Sequence, residues 1–254
     1  MHRVLFQIGG LTVYSYGVML AVGFIVATVV ARHRFKLQYK NPDIILDFVL
    51  AAVVGGIVGA RLFYVIGNWS EFSGHLGKIF TINMSGLVFY GGLILGLALV
   101  VAVGLWKKVR FWSIMDLAGL TIPLALAFGR VGCFLNGCCY GKPATTLPFL
   151  GVTFPTAIPA VPRYPTQLFE LVLDVALFSL LWWKKDSFAR DGTVFWLFAG
   201  GYGLIRFSLE FLRAHNVAGA GLAFQLMSLA LFFAAAAVLL FRYRLLPASG
   251  SEAF

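Results

Sequence analysis

The amino-acid sequence predicts an all-α, polytopic membrane protein with about seven transmembrane helices. Hydrophobic residues make up 60% of the 254 residues, and charged residues make up only 12%. Apolar runs of about 20 residues, the length that crosses a bilayer, recur along the chain. This composition excludes a soluble enzyme that is held at the membrane by a single anchor.

Each predicted span is an apolar segment of membrane-crossing length. The spans cover residues 11–31, 44–66, 86–106, 111–130, 165–183, 193–213 and 221–241. The first span resembles a signal peptide, but the basic cluster that starts at Arg32 follows it at once and opposes export. We therefore expect the first span to be retained.

Basic residues predict the orientation of the spans. Most of the 20 lysines and arginines follow the first, third, fifth or seventh span. They are Arg32, Arg34, Lys36, Lys40, Lys107, Lys108, Arg110, Lys184, Lys185, Arg190, Arg242 and Arg244. The positive-inside rule places them in the cytoplasm, so the N-terminus is predicted outside and the C-terminus in the cytoplasm. This distribution accounts for the net charge of +10 without a nucleic-acid partner.

Two predicted extracytoplasmic loops are long, near 67–85 and 137–164. Loops of that length usually carry function or are disordered. The chain shows no internal repeat and no second soluble domain, so we expect residues 1–254 to form a single transmembrane domain. The odd number of spans also argues against the matched halves of many transporters.

Arg61, Arg130 and Arg206 lie within predicted spans and are assigned to neither side of the membrane, whereas Arg213, the last residue of the sixth span, is counted on the extracytoplasmic side. A guanidinium at the centre of a membrane helix costs roughly 2.5–3.5 kcal/mol on insertion scales, so it indicates a buried anion or a water-filled cavity. With the predicted orientation, all three fall in the outer half of the membrane. They predict a site for a molecule that is both apolar and negatively charged, as a phospholipid is.

Polar residues of the fifth and sixth spans recur at spacings that place them on one face of each helix. They are Gln167, Glu170 and Asp174 at i, i+3 and i+7, and Arg206, Glu210 and Arg213 at i, i+4 and i+7. In a purely structural interpretation, Arg206 and Glu210 pair and neutralise each other. Arg130 has no carboxylate at helical spacing, so either Glu170 or a ligand anion must meet it.

Glycines predict close contacts between helices. Gly55 and Gly59 have the small-xxx-small spacing that lets membrane helices pack backbone to backbone. Tyr90 stands directly before Gly91 and Gly92 at the start of a span. A phenol beside two residues without side chains leaves room for a ligand, so this segment is also a candidate for binding.

The three cysteines, Cys133, Cys138 and Cys139, lie within seven residues of one another. The four histidines complete no zinc-binding spacing with them, and the sequence does not decide which pair a disulfide would join. We interpret the cysteines as small packing residues, and we predict neither a metal site nor a cofactor.

Residues 129–141, with the sequence GRVGCFLNGCCYG, resemble the signature loop of the bacterial prolipoprotein diacylglyceryl transferases. Segments that begin at Tyr16, Phe89, Tyr164 and Tyr202 resemble the other blocks of this family, in the same order. The resemblance covers nearly the whole chain.

The resemblance implies transfer of the diacylglyceryl group of phosphatidylglycerol to the lipobox cysteine thiol of a preprolipoprotein signal peptide, with formation of a thioether and release of glycerol phosphate. It also implies a place in the bacterial cytoplasmic (inner) membrane, with the active site facing the extracytoplasmic side. The implied partners are phosphatidylglycerol, the lipobox-bearing preprolipoprotein and membrane lipid. No nucleic-acid partner is expected.

The same resemblance implies the site residues. Arg130 and Arg206 would serve the lipid headgroup and catalysis, and Tyr90 would be the third catalytic residue. The implied substrate-binding residues are Tyr16, Gly91, Gly92, Gly129, Asn136, Gln167, Glu170, Glu210 and Arg213.

The chain departs from the family pattern at three positions. The family usually has a histidine, proposed as the base for the thiol, where this chain has Tyr90, and asparagine and glutamate where it has Cys133 and Cys138. A tyrosine with a pKa of about 10 is a poor base at neutral pH. A thiol of pKa about 8.5 needs little help, because an arginine field that lowers the pKa by one unit, about 1.4 kcal/mol, makes a substantial thiolate fraction. We therefore predict that Tyr90 orients a substrate.

Two alternatives stay open. A transporter or flippase for an anionic solute or lipid would use polar groups along a path through the membrane, such as Asp47, Asp116 and Asp174. The one-sided clustering of the arginines and the lack of repeats argue against it. The three departures also leave open a divergent diacylglyceryl transferase with another acceptor.

Overall fold

The computed structural model describes residues 1–9, 11–36, 41–74, 77, 79, 88–188, 190–214 and 220–245. Helices dominate these residues, which confirms the all-α prediction. Lys40 and residues 75–76, 78 and 80–85 of the predicted loop 67–85 lie outside the described residues.

The described residues form eight α-helices and one short 3-10 helix, Pro148–Leu150. The bounds are α1 Ser15–Lys36, α2 Ile44–Gly67, α3 Trp69–Phe72, α4 Phe89–Trp106, α5 Phe111–Asn136, α6 Thr166–Lys184, α7 Thr193–Glu210 and α8 Ala220–Leu245. Every helix except the single-turn α3 coincides with one predicted span, with ends that differ by at most six residues, the largest difference being at the C-terminal end of α5.

Two short antiparallel hairpins complete the fold, β1 (Val4–Ile8) with β2 (Leu11–Tyr14) and β3 (Val152–Thr153) with β4 (Pro162–Arg163). The first helix therefore begins at Ser15, later than the predicted span, because Leu11–Tyr14 pairs with β1. Two of its residues, Thr12 and Val13, are β-branched and fit a strand better than the end of a helix.

Five helices of the described residues are long and apolar enough to cross a membrane: α1, α2, α5, α6 and the stretch Gly221–Arg242 of α8. The apolar stretch Tyr90–Trp106 of α4 is shorter. Helix α7 is not among the five, because Arg206 and Glu210 lower its hydropathy. The protein is thus a multi-pass membrane protein, and the count of seven spans stays a prediction.

The chain forms two compact units, a smaller one of residues 31–114 and a larger one of residues 1–30 and 115–254. Whether they act as one transmembrane domain stays a prediction. In the smaller unit, α2 packs closely on α4. A Cβ added at Gly55 would lie 2.8 Å from the Cα of Gly96, and one added at Gly59 would overlap the carbonyl of Gly91. The close contact predicted for Gly55 and Gly59 is therefore confirmed.

In the larger unit, Asp116 of α5 fixes the start of α7. Its carboxylate accepts the backbone N–H of Gly192 at 2.6 Å and that of Phe195 at 2.9 Å. A carboxylate in this position caps the unpaired N–H groups of a helix N-terminus. Because α7 runs antiparallel to α6 on a short connection, its C-terminal end returns to the N-terminal end of α6.

The predicted loop 137–164 is ordered by backbone hydrogen bonds. Lys142 donates to the carbonyl of Leu212 just beyond α7, and Tyr164 donates to the carbonyl of Lys142 at 3.1 Å. Phe154, in the middle of the loop, is fully buried and its ring packs edge-on against that of Phe134 of α5. The loop thus joins the ends of α5, α6 and α7.

Candidate active site

A cluster of ion pairs occupies the end of the larger unit where α5 stops, α6 begins and α7 stops. Nη2 of Arg130 lies 2.7 Å from one carboxylate oxygen of Glu170. The other oxygen of Glu170 lies 3.1 Å from Nη1 of Arg213 and 3.5 Å from Nη1 of Arg206. Nη2 of Arg206 also lies 3.2 Å from Glu210. We call these five residues the arginine network.

The chain order explains why these residues meet. Arg130 lies near the C-terminal end of α5, Glu170 in the second turn of α6, and Arg206 and Glu210 in the last turns of α7. Helix α6 runs opposite to α5 and α7, so the C-terminal ends of those two helices meet the N-terminal end of α6, and hydrogen bonds of the loop after α5 join the three ends. The helical stripes predicted on the fifth and sixth spans are therefore directed at one another.

Burial makes the arginine network electrostatically strong. The side chain of Glu170 is 0% exposed, and those of Arg130, Arg206 and Arg213 are 16%, 17% and 15% exposed. Charges taken out of water require partners, and their attraction is stronger in a low-dielectric surrounding. The three guanidinium groups outnumber the two carboxylates that pair with them, so the network can accept a further anion.

Asn136 and Gln167 hold the loop that follows α5. Nε2 of Gln167 donates to the carbonyl of Cys138 at 2.6 Å, and Nδ2 of Asn136 donates to the sulfur of Cys138 at 3.4 Å. Gln167 is almost fully buried, and its Oε1 accepts no hydrogen bond from the described residues. Both residues thus hold the segment that follows α5, and the buried Oε1 of Gln167 is left without a hydrogen-bond partner among the described residues.

Tyr16 and Gly129 lie on the surfaces that adjoin Arg130. Tyr16, the second residue of α1, packs on α5 at Gly132, where an added Cβ would lie 3.2 Å from the Tyr16 ring. A Cβ added at Gly129 would meet no atom of the described residues within 4 Å. Open space therefore adjoins the backbone of α5 immediately before Arg130.

Tyr90, Gly91 and Gly92 belong to the smaller unit, at the start of α4. Tyr90 is half exposed. A Cβ at Gly91 would overlap the carbonyl of Gly59, and one at Gly92 would lie 2.7 Å from the carbonyl of Gly56. Helix packing accounts for both glycines, and the predicted role of all three residues in the site stays a prediction.

The anion expected at Arg61 is replaced by protein groups. Nε of Arg61 donates to the carbonyl of Ile79 at 3.0 Å, and its guanidinium lies 5.3 Å from the ring centroid of Phe72 and 5.7 Å from that of Tyr64. Carbonyl and aromatic contacts of this kind stabilise a cation without a ligand. Arg61 therefore has protein partners of its own, and its predicted place in the anion site stays a prediction.

The sequence does not foresee that the three cysteines converge. The chain reverses after α5 at Gly137, with φ of +70°, and at Cys139, with φ of +64°. This reversal brings Cys138 back over Cys133, whose carbonyl accepts the N–H of Cys138 at 3.1 Å. Hydrogen bonds from the thiols of Cys133 and Cys139 hold the pKa of the Cys138 thiol well below its ordinary value.

Known proteins are similar in sequence to this chain over most of its length. The family model for prolipoprotein diacylglyceryl transferase matches residues 3–241. A phosphatidylglycerol-prolipoprotein diacylglyceryl transferase of Clostridium tetani is 37% identical over 84% of this chain and 86% of its own. Relatives of that name in Clostridium perfringens and Bordetella bronchiseptica are both 34% identical over 95% of this chain and 94% and 95% of their own. The chain therefore belongs to the prolipoprotein diacylglyceryl transferase family.

Proposed function

We propose that this protein transfers the diacylglyceryl group of phosphatidylglycerol to the thiol of a lipobox cysteine in a preprolipoprotein, at the outer face of the bacterial cytoplasmic membrane. The names of its relatives state this donor and this class of acceptor. The observation that carries the proposal is the convergence of Arg130, Arg206 and Arg213 on one buried carboxylate, Glu170.

The reaction requires stabilisation of a phosphate. The thiolate sulfur attacks a glycerol carbon, a carbon–sulfur bond forms, and the bond from that carbon to the phosphate oxygen breaks. Glycerol phosphate leaves with the electron pair of that bond, and the thiol proton is lost before or during attack. Preorganised cations aimed at the leaving phosphate lower the barrier of such a step.

Arg130 and Arg206 suit this task. A guanidinium donates two parallel N–H groups, which match two oxygens of one phosphate. Glu170 holds both groups in place before the lipid binds, so little reorganisation is needed. The contact of Arg206 with Glu170 is the longest in the network at 3.5 Å, which leaves Arg206 the least engaged with that carboxylate.

The remaining residues of the larger unit suit substrate binding and positioning. The open space at Gly129 can admit lipid beside Arg130, and Gln167 positions the loop after α5 through the carbonyl of Cys138. Tyr16 borders the same end of α5. Asn136 shapes the adjoining loop, and we assign Glu210 and Arg213 to holding the arginines and Glu170 in position.

We assign Tyr90 an orienting role toward the thiol or the lipid, with Gly91 and Gly92 holding the start of α4. The incoming thiol has an ordinary pKa of about 8.5, so the positive field of the arginines is enough to raise the thiolate fraction at neutral pH. A histidine base is then not essential to the chemistry.

Of the three aspartates that a transport function would use, two have structural partners, whereas Asp174 is fully buried and neither of its carboxylate oxygens has a hydrogen bond to the described residues. Asp116 caps α7 through two backbone N–H groups, and Asp47 forms an ion pair with Lys107 at 2.9 Å. Both residues thus have structural partners. We therefore propose diacylglyceryl transfer alone and no transport function.

Purified protein tests this function directly. Vesicles that contain phosphatidylglycerol with a radiolabelled diacylglyceryl group are mixed with the protein and a lipobox peptide. We expect labelled, base-stable thioether on the peptide, and none with a cysteine-to-serine peptide or with vesicles of labelled phosphatidylcholine. If folded protein inserted in these vesicles does not label the cysteine peptide, the proposal is contradicted.

A further inference from the structure

The sulfur atoms of Cys133, Cys138 and Cys139 all lie within 4.8 Å of one another. A cation bound by thiolates has metal–sulfur bonds of about 2.3 Å, so its sulfur ligands lie roughly 4 Å apart. The upper limit of 4.8 Å on the observed separations is close to that value. We propose that the three cysteines form a binding site for a thiophilic closed-shell cation, Zn²⁺ or Cu⁺.

The backbone holds the thiols in this arrangement. Helix α5 ends at Asn136, and the left-handed conformations of Gly137 and Cys139 reverse the chain. Two residues at the start of α6 hold the reversed segment by hydrogen bonds. Thr166 donates to the carbonyl of Cys139 at 2.9 Å, and Gln167 donates to that of Cys138 at 2.6 Å. The ligand set is therefore preformed, which reduces the ordering that metal binding must impose.

The ligand chemistry selects the cation. Among the described residues, the cluster holds thiols alone, with no histidine or carboxylate. Thiolate sets favour soft cations such as Cu⁺ and Zn²⁺ over Mg²⁺, Ca²⁺ or Mn²⁺. Three thiolates and one Zn²⁺ carry one net negative charge, and Arg130 and Arg213 interact electrostatically with Cys139. The positive charges of these two arginines stabilise a metal centre with net negative charge.

Access and second-sphere contacts also suit a bound metal. Cys133 is buried, Cys138 is partly buried and Cys139 is exposed, so one side of the cluster is open to an entering ion. Nδ2 of Asn136 donates to the sulfur of Cys138 at 3.4 Å. A hydrogen bond to a ligating sulfur orients the ligand and tunes the metal.

Metal titration of the full-length protein tests the site. The protein is purified in detergent under anaerobic, reducing conditions and titrated separately with Zn²⁺ and Cu⁺ against a chromophoric chelator. We expect one equivalent of at least one ion per chain. Because the chain has only 3 cysteines, the sulfur-to-metal absorption of a Co²⁺-loaded sample can come from this cluster alone. Neither readout depends on the proposed transferase activity.

Variants distinguish this site from adventitious binding. Cys133→Ser, Cys138→Ser and Cys139→Ser should each lose the tight equivalent, and Asn136→Ala should weaken binding about 10-fold to 100-fold. Thr145→Ala, an exposed position of the same loop, should bind as wild type does. The proposal is overturned if neither ion binds stoichiometrically, or if a chain with all three cysteines changed to serine binds equally well.

Discussion

Arg130 and Glu170 lie 40 positions apart in the chain, and their side chains meet at 2.7 Å. The same carboxylate also contacts Arg206 and Arg213 through its second oxygen. One fully buried carboxylate therefore organises three guanidinium groups at the end of the larger unit. Arginines fixed in this way can stabilise a phosphate without first reorganising.

Glu170→Gln should destabilise the protein more than Arg130→Gln does. The first change leaves three buried guanidinium groups without their shared carboxylate, a loss of about 3–5 kcal/mol in the free energy of unfolding. After the second change, Glu170 still pairs with Arg206 and Arg213. The measurement is the melting temperature of both purified variants in the same detergent.

The matched control for this comparison is Asp43→Asn. Asp43 pairs with Arg32 at 2.6 Å, but both side chains are more than half exposed. An exposed ion pair contributes about 0–1 kcal/mol, so this change should hardly move the melting temperature. Equal melting temperatures for Glu170→Gln and Arg130→Gln would show that Glu170 is not the shared partner.

Gly129→Ala should reduce transfer without loss of stability. The added methyl meets no atom in the part of the chain that the structure describes, and alanine has a helix propensity about 1 kcal/mol more favourable than glycine. If lipid occupies the space beside Arg130, the methyl raises the KM for phosphatidylglycerol. Gly56→Ala, whose added methyl also meets no atom, is the control. An unchanged KM with Gly129→Ala would remove Gly129 from the lipid-binding surface.

Labelling tests the predicted orientation. The native cysteines are changed to serine, and single cysteines are placed at the exposed positions Ser73, Thr145 and Ser187. An impermeant thiol reagent should label the first two in intact cells, and the third only after the membrane is opened. Labelling at Ser187 in intact cells would reverse the inside and outside assignment and move the site to the cytoplasmic face.

The sequence predicts the helices well, because apolar runs and spacing are local properties. It leaves two alternatives for the partner of Arg130, Glu170 or a ligand anion. The structure shows that Glu170 is the partner within the protein. That choice depends on how α5 packs on α6, which helical spacing within one span does not determine.

Other features depend on backbone conformation that the sequence does not show. The cysteines converge because Gly137 and Cys139 adopt positive φ, and only the glycine gives a sequence signal for such a turn. The sequence also does not distinguish Gly129, which adjoins open space, from Gly132, which contacts α1. Only the packing of α1 on α5 separates them.

Tyr90→Phe should slow transfer by about 10-fold to 100-fold, as expected for loss of an orienting hydrogen bond. Tyr90→His should keep substantial activity, because it restores the residue that the family usually has. The measurement is a pH–rate profile of wild type and both variants with one lipobox peptide. A Tyr90→Phe variant as inactive as Arg130→Ala would show that the phenol is essential. A variant equal to wild type would place Tyr90 outside the site.

The central claim is that Arg130 and Arg206 bind the phosphate of the lipid donor. The most direct measurement is the transfer rate of Arg130→Ala and Arg206→Ala, each in vesicles at the same protein abundance as wild type, with Arg244→Ala as control. We predict a loss of at least about 100-fold for the first two, as for removal of a preorganised donor from a developing charge, and no loss for the control. Near-normal transfer by Arg130→Ala or Arg206→Ala would contradict the account.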